Sequence, residues 1–580
     1  MKELKYSEIL KINNKFEKIK TNKKFNVALF SNITVDVLKE IFEYSLRSKG
    51  ITNAAVQVGN INNIIQDSNR IKKSDVVIIF WEISEIIDSF QYRIDNLTDK
   101  EINELANKVK SEIDIVINNL KKTKIILFNK FSGIVFSRYN YKKSNLEKFS
   151  NILNNYLEKN IKQNFVLIDV EKIITDSGIK NSIDFRFYYS AKSLYSLDFF
   201  KNYSEQVSSI VLSFKGKSKK AIIMDCDNTL WSGILGEDGY DKIDMSKNSD
   251  VGKIFYEIQN IIIKMSQMGI IIGICSKNNL KDVNQVINKH PDMLIKDKHL
   301  SIKKINWSNK AQNLSLIARE LNVGIDSLVF VDDSIFEINL IKKMLPEVTT
   351  IKVPKNLYEY PEVLNRASRL FYNFSTTKED HDRGKMYKQQ NLRNIHKNKF
   401  SNIDSYIKSL NLEINIQLNN KKQIPRISQM TQKTNQFNLT TKRKTENKIA
   451  ELMSKKNNKI YSVSVKDKFG DYGVTGLCIL DLNKIKKEAL IETFLFSCRV
   501  IGRNVEYAFM DYLVKSCNRL NFVKKIKGEY VKTNKNIIVK DFYLNCSFKK
   551  VKSNNLFTNY ILDINSYSQK KINYIKVKNG

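Results

Sequence analysis

Two carboxylates spaced two residues apart follow a short apolar run near the middle of the chain. The run Lys220–Met224 leads directly into Asp225 and Asp227. Because open α/β folds bind ligands at the carboxyl ends of their strands, acids at positions i and i+2 there can share one cation and one phosphate. The pattern predicts that Asp225 attacks a phosphoryl group to form an aspartyl-phosphate. Asp227 is then the candidate general acid and base.

Phosphate-binding side chains are predicted at four other positions. The apolar run Gly269–Cys275 ends at Ser276, whose hydroxyl could bond a phosphate oxygen. Lys310 lies where a helix should begin, so its ammonium group could offset phosphate charge beside a helix N-terminus. Thr229 and Lys277, which neighbour these groups in sequence, complete the predicted phosphate site.

A third buried-strand pattern supplies metal-binding carboxylates. The run Leu328–Val331 ends in Asp332 and Asp333. Hard divalent cations take oxygen ligands, so the predicted Mg²⁺ ligands are Asp225, Asp332 or Asp333, and the backbone carbonyl of Asp227. Taken alone, each motif is typical of a solvated turn, a helix cap or a surface lysine. Three apolar strands that end in the required groups in the required order favour a phosphoryl-transfer site.

These stretches resemble motifs I to IV of the haloacid dehalogenase (HAD) superfamily, and more narrowly the FkbH-like group, subfamily IIIC. The segments that carry the resemblance are Asp225–Thr229, Gly236–Gly239, Cys275–Asn278, Lys310 and Asp332–Asp333. The resemblance implies that a glyceryl unit is taken from 1,3-bisphosphoglycerate, freed of phosphate and loaded on an acyl carrier protein with phosphopantetheine. It also implies polyketide or related secondary-metabolite biosynthesis. The spacing of the residues implies only phosphate chemistry.

The spacing between the motifs excludes a large cap domain. Only 49 positions separate Asp227 from Ser276, and a predicted amphipathic helix, 251–268, takes up much of that length. The segment from Ser276 to Lys310 has room for one helix and one short strand. An uncapped site is open to water, so a neighbouring domain or a macromolecular substrate must cover it. A substrate held on a carrier protein fits this geometry.

The length of 580 residues predicts a multidomain α/β chain. The expected parts are a flavodoxin-like or SGNH-like α/β domain over 1–205, a HAD Rossmann-like parallel-sheet domain over 218–375, and a GNAT-like α+β domain over 378–575. The first and last of these assignments rest on family resemblance.

Residues 25–200 alternate apolar runs with helical stretches, which predicts a parallel sheet. Strands are predicted at 27–30, 75–80, 125–128 and 166–168, and helices at 35–46, 100–120 and 146–157. Ser31 stands near the position of an SGNH nucleophile, but all four histidines of the chain lie beyond this domain. Because a serine nucleophile needs a neighbouring base, this domain is predicted to dock or cover the next site.

The carboxy-terminal third resembles GNAT acyltransferases. Strands are predicted at 459–465, 474–480 and 489–496, and helices at 445–453 and from the 498–506 turn to Cys517. Arg499, Gly502, Arg503 and Asn504 resemble the pyrophosphate loop of that fold, which implies a site for coenzyme A or a phosphopantetheine arm. Asn504 stands where Gly or Ala is usual and would crowd a bound pyrophosphate. The polar stretch Met430–Thr440 is either functional or a surface loop.

A thioester route needs a thiol. Cys226, between the two catalytic aspartates, is the preferred candidate, and Cys498, beside the predicted anion loop, is the other. A buried, inert cysteine at a strand end is the alternative interpretation for Cys226. The six cysteines form no Cys-x-x-Cys pair, which argues against a zinc site or a disulfide framework.

The formal net charge of +36 raises the question of nucleic-acid binding. The lysines form no single block with interleaved aromatics, so nucleic acid is not the expected partner, and a polyanion-binding scaffold is kept as a rival of a different class. The nearer rival is a phosphatase or transferase for another metabolite, for example in surface-polysaccharide assembly. The charged amino terminus and the absence of a long apolar run predict a cytoplasmic protein without a membrane span.

Overall fold

The computed structural model describes residues 4–19, 24–70, 74–139, 141–160, 164–372, 389, 393, 396–397, 400, 402–570 and 572–579. The chain divides into two compact units, Met1–Leu212 with Thr445–Asn447 and Ser213–Lys444 with Lys448–Gly580. The predicted domain boundaries at 375 and 378 lie outside the described residues, and the domain limits stay a prediction. Within the described ranges, no helix combines the length and the apolar character that a membrane crossing requires.

The first unit contains a five-stranded sheet in the order β2-β1-β3-β4-β5, with every neighbouring pair parallel. Its strands are β1 Phe25–Ser31, β2 Ala54–Val58, β3 Val76–Phe80, β4 Ile125–Asn129 and β5 Phe165–Ile168. Its helices are α1 Tyr6–Glu17, α2 Asp36–Ser48, α3 Ile64–Arg70, α4 Phe90–Arg93, α5 Asp99–Asn119, α6 Ile134–Ser137, α7 Asn145–Asn160, α8 Val170–Ser177, α9 Ile179–Ser182, α10 Phe185–Ala191 and α11 Leu197–Phe214. Two of the three inner strands, β3 and β4, are buried at every position, which explains their continuous apolar sequences. The predicted parallel α/β arrangement is confirmed.

The second unit begins with another parallel five-stranded sheet, in the order β10-β9-β6-β7-β8. Its strands are β6 Ala221–Met224, β7 Ile271–Ser276, β8 Ile302–Ile305, β9 Leu328–Asp332 and β10 Thr349–Lys352. Its helices are α12 Leu235–Asp238, α13 Asp250–Gln267, α14 Leu280–Lys289, α15 Lys310–Glu320, α16 Ile335–Met344 and α17 Tyr360–Ser368. Between β6 and β7 lie only the short helix α12 and the 18-residue helix α13, so no large cap is inserted there.

A nine-stranded mixed sheet follows, in the order β17-β18-β16-β15-β14-β13-β11-β19, with β12 attached to β15. Its strands are β11 Glu413–Leu418, β12 Phe437–Asn438, β13 Asn458–Asp467, β14 Gly470–Asn483, β15 Glu488–Phe496, β16 Lys525–Val531, β17 Lys549–Ser553, β18 Phe557–Asp563 and β19 Lys576–Asn579. The helices of this region are α18 Ile403–Ser409, α19 Ile424–Lys433, α20 Glu446–Ser454, α21 Val505–Asn518 and α22 Phe542–Asn545. The predicted strands and helices are present, the strands extended by one to four residues at an end and the helix predicted at 445–453 shifted by one residue to Glu446–Ser454.

The chain itself fills the space between β15 and β16. These two parallel strands pair only at their beginnings, from Glu488 to Ile491 on β15. Farther along, Phe437 and Asn438 of β12 pair with the end of β15. The carbonyl of Leu439 accepts a 2.8 Å hydrogen bond from the amide of Val531, the last residue of β16. The segment 437–439 therefore bridges both strands as a wedge.

This wedge decides between the two interpretations of the polar stretch Met430–Thr440. A surface loop would be exposed, but Asn438 and Thr440 are buried, as are Phe437 and Leu439. The side chain of Asn438 donates to the carbonyl of Thr434, and its Oδ1 accepts from the amide of Thr441. The surface-loop interpretation is wrong because the amide side chains of this stretch satisfy backbone groups inside the fold.

Candidate active site

The carboxyl edge of the first sheet of the second unit collects the predicted phosphate chemistry. Strand β6 lies in the middle, between β9 and β7. Asp225 directly follows β6, and its amide donates to the carbonyl of Val331 on β9 at 3.0 Å. Asp332 is the last residue of β9 and Ser276 the last of β7. Adjacent parallel strands of matching register therefore bring these side chains to one place, as the sequence predicts.

Lys310 is the first residue of α15 and lies between two carboxylates. Its Nζ is 2.7 Å from Oδ2 of Asp332 and 3.1 Å from Oδ2 of Asp225. The lysine side chain is only 4% exposed and the two carboxylates are 0% and 9% exposed. Burial opposes the charged form of Lys310, but the charges of Asp225 and Asp332 outweigh it and raise the pKa. The ammonium is therefore a fixed positive charge within the site.

Three carboxylates lie around the ammonium group of Lys310. Asp225, Asp332 and Asp333 each offer an oxygen, and these oxygens lie within 4.8 Å of one another. Burial, with the charge of Asp225, raises the pKa of both Asp332 and Asp333. Oδ1 of Asp225 is buried and makes no hydrogen bond with any described residue. An excess of negative charge and an orphaned carboxylate oxygen are the features expected of a site built for a hard divalent cation.

Asp227 is held in one orientation by three donors. Its Oδ1 accepts from Nε1 of Trp231 at 3.0 Å and from the amide of Leu235 at 3.1 Å. Its Oδ2 accepts from Nδ2 of Asn278 at 2.9 Å. Burial raises the pKa of Asp227, and the hydrogen bonds from Leu235 and Trp231 partly offset this rise. A fixed carboxyl with a raised pKa is suited to the predicted role of general acid and base.

Trp231 and Asn278 are site residues that the sequence motifs do not mark as functional. Both lie in stretches whose other members were singled out, four residues after Asp227 and two residues after Ser276. The separation of four residues gave a usable signal for the tryptophan, because a tight turn after a strand brings such positions together. Asn278 gave no local signal, since its partner lies 51 positions away.

The other predicted phosphate ligands lie at different depths. Ser276 is almost fully buried, and Thr229 is fully buried with a hydroxyl that makes no hydrogen bond to any described residue. The partly exposed Lys277 instead donates to Oε1 of Glu337 at 2.7 Å. Ser276 and Lys310 thus come together at the cluster, whereas Lys277 is engaged by a glutamate.

Cys226 does not fit the predicted acyl-carrying role. Its side chain is fully buried and packs in the apolar core beneath the sheet edge. Burial, together with the charge of Asp225, raises the pKa of the thiol well above its usual value. Because the thiolate is the nucleophile, a buried thiol kept protonated by two neighbouring carboxylates is inert. The alternative interpretation, a structural cysteine at a strand end, agrees with the structure.

Two of the four residues predicted to bind the pantetheine arm already use their side chains in contacts within the protein. Gly502 has a φ of +78°, which favours glycine, and a Cβ there would meet no atom within 4 Å. Arg503 is buried, with its guanidinium over the ring of Tyr472 and 3.8 Å from Asp467. Asn504, with a φ of 64°, donates to the hydroxyl of Tyr574. The side chains of Arg503 and Asn504 therefore hold the domain together, which argues against their predicted role as ligands for the arm.

One solved structure shares the fold of a large part of the chain. It is the N-terminal part of the protein BF1531 from Bacteroides fragilis, described as containing a phosphatase domain and complexed with Mg. The match is 24% identical, covers 64% of this chain and 100% of that chain, and has a TM-score of 0.55. No protein-family model and no curated protein matches the sequence. The likeness establishes a shared fold.

Two acetyltransferase structures were also matched, with much lower TM-scores. The ribosomal-protein-S18-alanine N-acetyltransferase from Escherichia coli is 11% identical over 27% of this chain and 98% of its own, with a TM-score of 0.22. A mutant spermidine N-acetyltransferase SpeG from Vibrio cholerae is 10% identical over 26% of this chain and 94% of its own, with a TM-score of 0.21. Likenesses of this size carry no conclusion about the mixed sheet.

Proposed function

We propose that the second unit of the protein is a Mg²⁺-dependent, HAD-type phosphotransfer enzyme. The observation that carries this proposal is the buried cluster in which Lys310 joins Asp225 to Asp332 while one oxygen of Asp225 has no described partner. A divalent cation would be held by Asp225, Asp332 and Asp333, and it would supply charge neutralisation for the phosphoryl group. The shared fold with a phosphatase domain that was complexed with Mg supports this assignment.

The residues of the chain provide each step of a two-stage hydrolysis. A carboxylate oxygen of Asp225 forms a bond to phosphorus while the bond from phosphorus to the leaving oxygen breaks. Asp227 gives its proton to that leaving oxygen and then takes a proton from the water that attacks the aspartyl-phosphate. Lys310 stays charged throughout and stabilises the negative charge on Asp225 and on the phosphoryl oxygens. Inorganic phosphate leaves and Asp225 is restored.

The finer proposal is that the phosphorylated donor resembles 1,3-bisphosphoglycerate and that its glyceryl unit reaches an acyl carrier protein. The carrier thiol would attack the acyl carbon and expel phosphate, which gives a thioester, and the Asp225 site would hydrolyse the remaining phosphate ester. Arg499 and Gly502 remain candidates for contact with the phosphopantetheine arm. The assignments of the first domain as SGNH-like and of the mixed sheet as GNAT-like belong to this proposal and rest on sequence resemblance.

Exposed apolar side chains at the mouth of the site support a protein as the acceptor. Trp307, which follows β8 in the loop that leads to Lys310, is 75% exposed. Ile335 and Phe336, which follow the metal-binding carboxylates, are 52% and 66% exposed. Large exposed apolar groups in the loops that follow the strands of an uncapped site are typical of a surface that binds a macromolecule.

The test is to incubate the purified protein with Mg²⁺, 1,3-bisphosphoglycerate and a holo carrier protein, and to measure the intact mass of the carrier. We expect a gain of one unphosphorylated glyceryl unit that is absent with Asp225→Asn. Phosphate release without acylation would support the phosphotransfer site and favour another metabolite, as in surface-polysaccharide assembly. The polyanion-binding scaffold would be favoured if the protein released no phosphate from any phosphate ester and the Asp225→Asn variant kept the function of the parent protein.

A further inference from the structure

Exposed aromatic side chains are concentrated on one part of the first unit. Of the eight exposed tyrosine, phenylalanine and tryptophan side chains in the described part of the chain, five lie in three short stretches of this unit, which are 90–93, 136–139 with 141–143, and 184–189. These five are Tyr92, Tyr139, Tyr141, Phe187 and Tyr189, each at least 57% exposed. The first two stretches come after β3 and β4, so they lie at the carboxyl edge of the sheet, where open α/β folds bind their ligands.

Ring contacts join the three stretches into one surface, which we call the aromatic face. The ring centroid of Phe136 is 6.3 Å from that of Tyr92 and 5.9 Å from that of Phe185. Tyr188 lies 5.8 Å from the same phenylalanine, and Tyr189 stacks on Phe185 at 6.3 Å. Because its parts are far apart along the chain, no single stretch of the sequence shows this surface.

Three cations of the aromatic face have no carboxylate partner. The guanidinium of Arg138 lies over the rings of Tyr139 and Phe185, at 4.8 and 5.9 Å from their centroids. Lys142 and Lys143 follow in the same exposed turn. Within the described ranges, none of these three side chains forms an ion pair. Their charge is therefore open to a partner.

Acidic side chains of the face do not cancel this charge. Asp184 is the one carboxylate in the sequence of the three stretches, and it is already paired with Arg186 at 2.8 Å. Arg93, the remaining basic residue of these stretches, donates to the backbone carbonyl of Asp88 at 3.3 Å. The aromatic face therefore combines exposed rings with a net positive charge, and it is complementary to an acidic surface.

The packing of the rings favours a protein over a single-stranded nucleic acid as the partner. Bases stack on open ring faces, but Phe185 and Tyr189 cover each other, and Arg138 covers Tyr139. A guanidinium that lies flat on a ring keeps its N–H donors free in its own plane, where two of them can bind one carboxylate. Tyrosine and arginine are also the side chains that contribute most to the affinity of protein interfaces.

We propose that the aromatic face docks a protein whose contacting surface is acidic, and that this protein is the acyl carrier protein. Only the choice of the carrier rests on the proposed function, whereas the face itself rests on the ring contacts and on the three unpaired cations. Attraction between the charges speeds the encounter of the two proteins. The rings already pack on one another before binding, so little ordering of side chains opposes it.

The experiment measures binding of the holo carrier protein to the full chain by titration calorimetry, at low and at high salt. The triple variant Arg138→Gln/Lys142→Gln/Lys143→Gln removes the three unpaired charges. We expect it to bind the carrier about tenfold more weakly or worse. The affinity of the parent chain should also fall with salt much more steeply than that of the variant, because screening weakens attraction between exposed charges.

The first unit offers a matched control. Arg70→Gln/Lys121→Gln/Lys122→Gln also removes one arginine and two lysines, all exposed, but these residues precede β3 and β4 and so lie at the amino edge of the sheet. This variant should bind the carrier with the affinity of the parent chain. Since every substituted side chain is exposed, both variants should unfold at the same urea concentration as the parent chain.

Three results would overturn the proposal: no binding of the carrier by the parent chain, unchanged affinity in the triple variant, or an equal loss in the control. Displacement of the carrier by a single-stranded oligonucleotide that binds more tightly would also overturn it, in favour of a nucleic-acid partner. The proposed function is tested separately, by the mass of the carrier. A carrier that binds through the aromatic face but gains no glyceryl unit leaves the docking face intact and refutes the loading reaction.

Discussion

Replacing Asn278 with alanine should slow catalysis through the orientation of Asp227. Nδ2 of Asn278 donates a 2.9 Å hydrogen bond to Oδ2 of Asp227, the only one that this oxygen accepts from the described residues, and Asn278 is 5% exposed. A hydrogen bond to an ionised partner contributes about 1.5–3 kcal/mol, which corresponds to roughly a 10- to 150-fold fall in rate. We therefore expect Asn278→Ala to lower kcat for an alkyl phosphate by a factor of roughly 10 to 150.

The dependence on the leaving group separates an orienting role from a general loss of structure. An alcohol needs a proton as it leaves, whereas p-nitrophenol leaves as an anion without one. Asn278→Ala should therefore be much slower with 3-phosphoglycerate and little changed with p-nitrophenyl phosphate, when release of the leaving group is measured in the first turnover, before Asp227 acts as a base on water.

The neighbouring residue provides a matched control. Asn279 is the N-cap of α14, and its side chain accepts from the amide of Lys281 without contacting Asp227. Asn279→Ala should cost about 1 kcal/mol of stability, as loss of an N-cap does, and leave both rates close to those of the parent protein. Equal losses for both substrates in Asn278→Ala, or the same kinetic loss in Asn279→Ala, would refute the reasoning.

Three other outcomes are expected. Trp307→Ala and Phe336→Ala should raise KM for the carrier protein severalfold without changing hydrolysis of p-nitrophenyl phosphate, and an equal effect on both reactions would contradict a docking surface. Mg²⁺ at about 100 times its Kd should add about 2.7 kcal/mol to the free energy of unfolding, and a similar gain in Asp225→Asn would place the ion elsewhere. Burial raises the pKa of Glu82 to about 7. Because the folded state then holds the proton more tightly than the unfolded state, the free energy of unfolding should fall by about 3 kcal/mol between pH 4.5 and pH 8. Urea unfolding of Glu82→Gln should lack that part of the pH dependence, and an unchanged dependence would contradict the burial argument.

The sequence predicted the carboxylate cluster well because strand order and strand ends determine it. Asp225, Ser276 and Asp332 each end a buried apolar run, and such runs pair side by side in a parallel sheet. The beginning of α15 at Lys310 was predictable as well, since Asn309 before it is a typical N-cap residue whose side chain accepts from the following turn.

What the sequence could not predict depends on contacts between distant segments. Strand β2 has a short, weakly alternating sequence, and its pairing with β1 makes it a strand. The composition of the polar stretch around Asn438 does not show its burial, which depends on distant partners such as Asn536, whose Nδ2 donates to the carbonyl of Asn438 from 98 positions away. Cys226 was considered as a nucleophile because of its neighbours in sequence, whereas the alternation of side chains along the β6 segment directs it into the core.

The wedge between β15 and β16 also constrains how the chain can be made. Phe437 and Leu439 enter a groove whose two sides are supplied by Phe494 and Val531. On a ribosome, which delivers the amino end first, these apolar side chains must wait for about 90 more residues before both sides exist. Until then the segment is an exposed apolar strand without partners, so a chain that stops before β16 should depend on chaperones or aggregate. The wedge can therefore be closed on both sides only after Val531 has been made.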